Sequence, residues 1–129
     1  MIGDDAATVV ATFWSLMESN DFRSVGAVLS DDFVLDWPQS GERIRGRNNF
    51  AAMNEAYPAH GRWHFTVNAI IGNGSGAVSD VSVTDGARMD RAVSFFTIRK
   101  GVMVKIIEFW PEPFPAPDNR RHLVERLVE

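Results

Sequence analysis

The stretch VMVKIIEFWP, Val102 to Pro111, is the most apolar run of the chain and carries one carboxylate, Glu108. Alternate residues of a strand point to opposite faces, so the run predicts Val104, Ile106, Glu108 and Trp110 on one side and Lys105, Ile107 and Phe109 on the other. An acid between an isoleucine and a tryptophan must be paired with a cation, solvated through a cavity, or held protonated by desolvation. The last two states are the ones a general acid or base uses. Pairing with Arg43, Arg91 or Arg120 is the purely structural alternative.

Upstream of this run, Arg91 to Arg99 reads as a long strand that turns into it at Lys100-Gly101, and Ala77 to Thr84 as the strand before, with Asp85-Gly86 between them. Trp63, Phe65, Val67, Ala69 and Ile71 alternate with polar residues as in a half-buried strand. The glycines at 72, 74 and 76 mark a turn. Nearer the start, Ala6, Val9, Val10, Phe13, Leu16 and Met17 recur at helical spacing within Asp5 to Ser19, with Asp4 or Asp5 as N-cap and Asn20-Asp21 as the stop. Phe22 to Leu29 repeats the pattern in a second helix, Ser30-Asp31-Asp32 breaks it, and Phe33 to Trp37 forms a short strand ended by Pro38. Trp37 to Gly46 is a loop or short hairpin, and Arg47 to Tyr57 a third helix closed by Pro58. Beyond the opening run, the four prolines of Pro111 to Pro117 impose an extended segment, and Asp118 to Val128 has the spacing of a final helix through Leu123, Leu127 and Val128. This order is α+β: helices early, then a mostly antiparallel meander whose twist lets it curl round the helices and leave a cone-shaped cavity.

Composition narrows the function classes. A chain of 129 residues makes one domain, and 45% apolar with 23% charged residues is an ordinary globular balance. Nine Phe, four Trp and one Tyr supply an aromatic core or an aromatic-lined pocket. The net charge is −4 with scattered basic residues, which gives no electrostatic footprint for nucleic acid. The absence of cysteine excludes disulfides, thiolate nucleophiles and zinc-thiolate sites. No segment has the apolar length of a membrane span, and the acidic start MIGDDAATVV is unlike a signal peptide, so a cytoplasmic location is expected. No dinucleotide fingerprint, phosphate-cradling loop or histidine-carboxylate metal spacing is present, so the expected chemistry uses no cofactor and no metal.

The opening VVATFWSLMESNDFRSVGAVLSDDFVLDWP, with its helix, N-D-F turn, short helix, D-D break and strand ending at a proline, resembles the SnoaL-like and ketosteroid isomerase-like branch of the nuclear transport factor 2-like superfamily. The closing IRKGVMVKIIEFWPEP is similar to that branch's last two strands. The resemblance implies a conical α+β barrel, commonly a homodimer, whose last strand faces a pocket. It also implies what is missing: the tyrosine of the steroid isomerases falls on Phe13, their aspartate base on Trp37 and their second acid near Ser94. Steroid isomerisation of the usual Tyr/Asp/Asp type is therefore not expected. The acid that SnoaL-type polyketide cyclases carry on the last strand falls at about Glu108, while their histidine has no counterpart among His60, His64 and His122.

The candidate catalytic residues are Glu108, then Tyr57, one helical turn from Asn54, and Asp80 as a second acid. Trp37, Trp63 and Trp110 with Phe13 and Phe96 are candidate walls for a flat apolar ligand, and Gln39, Asn54 and Ser94 candidate partners for a ligand oxygen. These residues suit a small enzyme moving a proton next to a carbonyl on a hydrophobic ring compound, as in cyclisation, isomerisation or dehydration. A non-catalytic binder of the same cone, or a dimeric interaction protein with a plugged cone, would use the same fold.

Overall fold

The computed structural model describes residues 5–127. Apolar residues at every third or fourth position wind Ala6–Glu18 into helix α1, which buries Ala6, Val9, Val10, Phe13, Trp14 and Met17. Its N-cap is Asp5, acting through its backbone carbonyl to Val9 N at 3.1 Å and not through its side chain. Asp4 lies outside the described residues. The helix stops where Asn20 turns left-handed, φ 61°. There Asn20 Nδ2 donates to Trp63 O at 2.8 Å, while Trp63 N donates to Asn20 Oδ1 at 2.9 Å.

The second expected helix is a 3-10 segment, Phe22–Val28. Seven residues containing Gly26 and two valines make a poor α-helix, and Arg47 fastens the segment by donating to Gly26 O at 3.2 Å and Leu29 O at 3.0 Å. The helical segment ends before Ser30, as expected, but the strand starts earlier than Phe33: Ser30 to Asp32 already belong to strand β1, Leu29–Trp37. Their effect survives as a register slip of β1 between Leu29 and Val34. A turn closed by Gly41 N to Trp37 O at 2.9 Å, with Gly41 at φ 75°, leads to β2, Glu42–Arg45, so this loop is a hairpin. Helix α2, Arg47–Ala56, follows, then β3, His64–Gly72, β4, Gly76–Thr84, β5, Met89–Arg99, and β6, Val102–Phe109.

The six strands form one sheet in the order β2-β1-β6-β5-β4-β3. Every pairing is antiparallel except β1 with β6. Two bulges revise the expected alternation. Opposite Thr97 and Ile98, β6 carries an extra residue, so Lys105 and Met103 are the paired positions and Met103 takes the buried place expected for Val104. In β3 the extra residue is Asn68, between the Val67↔Val81 and Ala69↔Asp80 pairs. It turns Ile70 toward the core and leaves Ile71 75% exposed, where the plain alternation put Ile71 among the half-buried residues.

Between helices and sheet, Phe13 packs against Trp14, Phe96 and Phe50 with ring centroids 4.9, 5.7 and 6.0 Å away, and Phe33 meets Phe50 edge-on at 5.8 Å. The end of the chain departs most from expectation. Instead of a helix to Val128 there is a 3-10 turn, Asp118–Leu123, whose side chains bury against nothing. A short helix without a packed face is marginal; Val128 lies outside the described residues.

The Asn20 clasp is the tie between the end of α1 and the start of β3. Asn20→Ala removes both amide bonds and puts a residue less at ease than asparagine in left-handed backbone, and it should cost about 2–3 kcal/mol. Asn20→Gly keeps the backbone freedom and should cost less. Urea unfolding of the two variants checks this as a midpoint shift at unchanged slope.

Candidate acid/base site

Glu108 sits directly across from Ser94 on β5, and Ser94 directly across from Ser79 on β4. Trp37 closes β1 one position beyond the Asp36↔Ile107 pair, which sets its ring beside Glu108. The result is a polar row crossing an apolar core. Glu108 is 5% exposed. Trp37 Nε1 donates to its Oε1 at 3.0 Å, Trp110 Nε1 donates to the same oxygen at 3.1 Å, and Ser94 Oγ lies 2.7 Å from Oε2. Further along the row, Trp14 Nε1 donates to Ser79 Oγ at 3.0 Å.

All three groups around the carboxylate are neutral; of the cations considered for it, Arg43 and Arg91 are engaged elsewhere and Arg120 lies on the exposed C-terminal arm. Arg43 forms a bidentate pair with Asp36 at 2.6 and 2.8 Å, and Arg91 one with Asp80 at 2.5 and 2.6 Å. Among the described residues no ion pair reaches Glu108. Burial pushes its pKa above the ordinary 4.5, and the bonds from Trp37, Ser94 and Trp110 oppose that shift without cancelling it. The geometry also says which oxygen titrates. An indole N–H is only a donor, so Oε1 accepts two bonds in either state. The proton resides on Oε2, where Ser94 can accept from the acid or donate to the carboxylate.

Gln39 completes the site from the hairpin turn, its Oε1 accepting from Trp110 N at 2.6 Å. That bond holds the residue after β6 in line, so the Trp110 indole returns onto the carboxylate two residues back. Glu108, Trp37, Trp110, Ser94 and Gln39 are thus brought together.

The other expected site residues go elsewhere. Asp80 faces the outer side of the sheet, bound to Arg91, and its pKa is held below the usual range chiefly by that bond, so it is not a second acid beside Glu108. Alternation decides this, because Asp80 is out of phase with buried Ser79 and Val81. Tyr57 is 45% exposed and packs edge-on to Trp63 at 6.2 Å. Asn54 spends its amide on Phe50 O at 2.8 Å, one turn back along α2. Phe13 and Phe96 are packed core and not open pocket wall. Two surface hollows, of about 380 and 360 Å³, are lined by Ile71, Asn73, Gly76, Val78 and Phe95 in one case and by Trp14, Glu18, Phe65, Val67 and Ile70 in the other; Glu108 lines neither.

Sequence reasoning missed Ser79 and Trp14. Ser79 could have been found, since it shares the strand phase of Ala77, Val81 and Val83. It also passed over Asp85 as a mere turn residue. Asp85 accepts from Ala87 N, Arg88 N and His60 N, each at 2.9 Å, and is held far below the carboxylate range by those bonds. It ties the loop after α2 to the β4–β5 turn, which is a structural task.

A family model described as SnoaL-like domain matches residues 10–109. The chain belongs to the SnoaL-like family. Its fold is the nuclear transport factor 2-like cone, an α+β fold with an unclosed, curled sheet. A proposed ketosteroid isomerase of Kribbella flavida DSM 17836 is 28% identical at TM-score 0.88, the match covering 100% of this chain and 96% of that one. An NTF-2 like protein of unknown function from Burkholderia xenovorans LB400 is 30% identical at TM-score 0.76, with 93% of each chain covered. A proposed SnoaL-like polyketide cyclase from Jannaschia sp. CCS1, 16% identical at TM-score 0.65 over 83% of this chain and 87% of that one, shares the fold. No curated protein matches. Among the described residues of this SnoaL-like chain, no helix is long and apolar enough to cross a membrane.

The raised pKa of Glu108 fixes a sign. Below the unfolded value native and unfolded chains both hold the proton and the contribution to stability is complete. As pH rises past that value the unfolded chain releases its proton first, so stability falls until native Glu108 has also ionised. Glu108→Gln mimics the acid form, with its carbonyl toward the two indoles and its amide toward Ser94. Thermal melts across pH 4 to 9, a range chosen to bracket the carboxylate, should show Glu108→Gln gaining on the wild type as pH rises.

Proposed function

We propose that this chain, as one SnoaL-like domain over residues 1–129, is a small cofactor-independent acid/base catalyst acting on a hydrophobic, ring-containing molecule that bears a carbonyl. The observation that carries the reading is a buried carboxylate held only by neutral donors. Such a group keeps its proton to a higher pH than an ordinary glutamate, which draws its pKa toward the working range of a general acid or base. An ionised carboxyl has about four acceptor positions. The two indoles and Ser94 occupy three of them, and the remaining one, on Oε2, is where a substrate proton would be received.

In the step proposed, Oε2 takes a proton from carbon next to the carbonyl, the C–H pair passes into the enolate, and negative charge builds on the substrate oxygen. Glu108, now the acid, returns the proton to another carbon in an isomerisation, or to a departing oxygen in a dehydration. Ser94 positions Oε2 throughout. Trp37 and Trp110 are partly buried, so their rings are the walls nearest solvent, and Gln39 fixes the second of them. Asp80 and Tyr57 take no part. A non-catalytic binder is the second reading, favoured by the near saturation of the carboxylate by its own neighbours.

The acidic net charge and lack of cysteine support a cytoplasmic protein with no nucleic-acid partner. Homodimerisation through the outer face of the sheet is supported by Val78, Val93, Phe95, Ile107 and Phe109, which form an apolar area there. The Asp36–Arg43 and Asp80–Arg91 pairs flank it, a pattern suited to isologous packing.

Proton abstraction can be read without knowing the product. In D2O, cyclic ketones that raise the melting temperature should exchange their α-hydrogens in the presence of the protein, followed by NMR. Glu108→Gln should slow exchange by about 100-fold or more with the melting shift retained. Undiminished exchange in that variant would reject catalysis by Glu108, and binding with no exchange in the wild type would favour the binder.

A further inference from the structure

Beyond Trp110, whose N–H is still tied to Gln39, every residue from 111 to 127 is exposed. This arm does not have the composition of a solvated tail. Phe114 is 76% exposed, Leu127 85%, and Leu123 and Val124 are also open to solvent. Nor is it slack. Prolines 111, 113, 115 and 117 restrict the backbone to the polyproline region, with Pro117 at φ −69° and ψ 147°, and the turn Asp118–Leu123 is braced by Arg121 donating to Asp118 at 2.6 Å. A stiff segment loses little entropy when it docks.

The same molecule carries a matching vacancy. The hollow of about 380 Å³ at the β3–β4 turn is lined by Ile71, Gly72, Asn73, Gly76, Val78 and Phe95, with no charged residue among them. Gly76 lies two residues before Val78 on the same strand face, opposite Thr97, and adds no side chain to the hollow beside the Val78↔Phe95 pair. The stretch Pro113 to Pro117, with Phe114 near its centre, is likewise uncharged and is bounded by Glu112 and Asp118. Prolines have no N–H that a host must satisfy with an acceptor, and proline-rich segments are recognised by aromatic rings lining a shallow groove. Phe95, 45% exposed and braced edge-on by Phe109 at 6.2 Å, is such a ring. In this chain the arm leaves β6 without returning to the hollow, since Phe114 stays in solvent.

We propose that the arm is exchanged between two copies of the chain, Phe114 and its flanking prolines of one copy seating in the Ile71–Val78–Phe95 hollow of the other. The hollow opens on the outer sheet face. The exchange therefore rests on the dimer proposed above and adds to it a clasp that each subunit supplies to its partner.

The absence of cysteine allows a direct test. The full-length double variant Ile71→Cys/Ala116→Cys, which keeps Phe114 in place, is oxidised mildly at low concentration and run on a non-reducing gel, with each single variant as control and native mass measured in parallel. The clasp predicts a covalent dimer from the double variant, cleaved by reductant and at least tenfold more abundant than from either single variant. A crosslinked monomer would overturn it, because the arm would then fold onto its own chain. A native dimer that fails to crosslink would overturn the clasp and leave the sheet-face dimer standing, whereas a native monomer would reject both. Phe114→Ala, which leaves the folded body untouched, should raise the dimer dissociation constant by about tenfold.

Discussion

The arrangement depends on a carboxylate that the fold removes from water and surrounds with hydrogen-bond donors but no cation. Glu108 gathers Trp37 from the end of β1, Ser94 from β5 and Trp110 from just beyond β6 onto its two oxygens. It therefore ties the parallel strand pair to the antiparallel meander at the place where the two meet. Losing any one donor would leave a buried charge less satisfied, a cost of about 1–3 kcal/mol. Losing the carboxylate would strand two indole N–H groups. The local geometry and the chemistry proposed for the chain thus have one origin.

The bulge in β6 is what makes this possible. With strict alternation from buried Met103, positions 105, 107 and 109 would turn inward and Glu108 would face outward. The extra residue opposite Thr97 and Ile98 shifts the phase once, so that Met103, Ile106 and Glu108 are all buried. Bulges occur where a strand must re-aim a side chain, and this one aims the acid into the core. The hairpin of β1 and β2 has the complementary task of holding Gln39 against the Trp110 amide, which keeps the second indole in place.

Much of this was legible in the sequence, for reasons specific to each segment. The stripe of α1, the paired turns at Asp85-Gly86 and Lys100-Gly101, and the alternation of β4 and β5 are local signals, and all reappear as elements. Glu108 stood out because an acid in an apolar strand must be accounted for, and Trp37, Trp110, Ser94 and Gln39 were named as its possible company. Bulges were not legible: an inserted Asn68 or Val104 leaves no mark on composition, so Ile71, beyond the first, and Val104, at the second, were put on the wrong faces. Asp80 was separable by strand phase alone, being one residue from Ser79. Tyr57 and Asn54 could not be placed from helical spacing, because that spacing says which residues share a face but not what the face meets. The terminal helix failed for the opposite reason: the spacing was present and the surface to pack it against was not.

The most direct test of the account is the titration of Glu108 itself, followed through its side-chain carboxyl carbon by NMR with Glu108→Gln to assign the signal. The account predicts a midpoint clearly above the ordinary value of 4.5, moving further upward when Trp37→Phe removes one donor from the charged form. A midpoint at or below 4.5 would contradict it and mark Glu108 as a structural hydrogen-bond acceptor with no role in proton transfer.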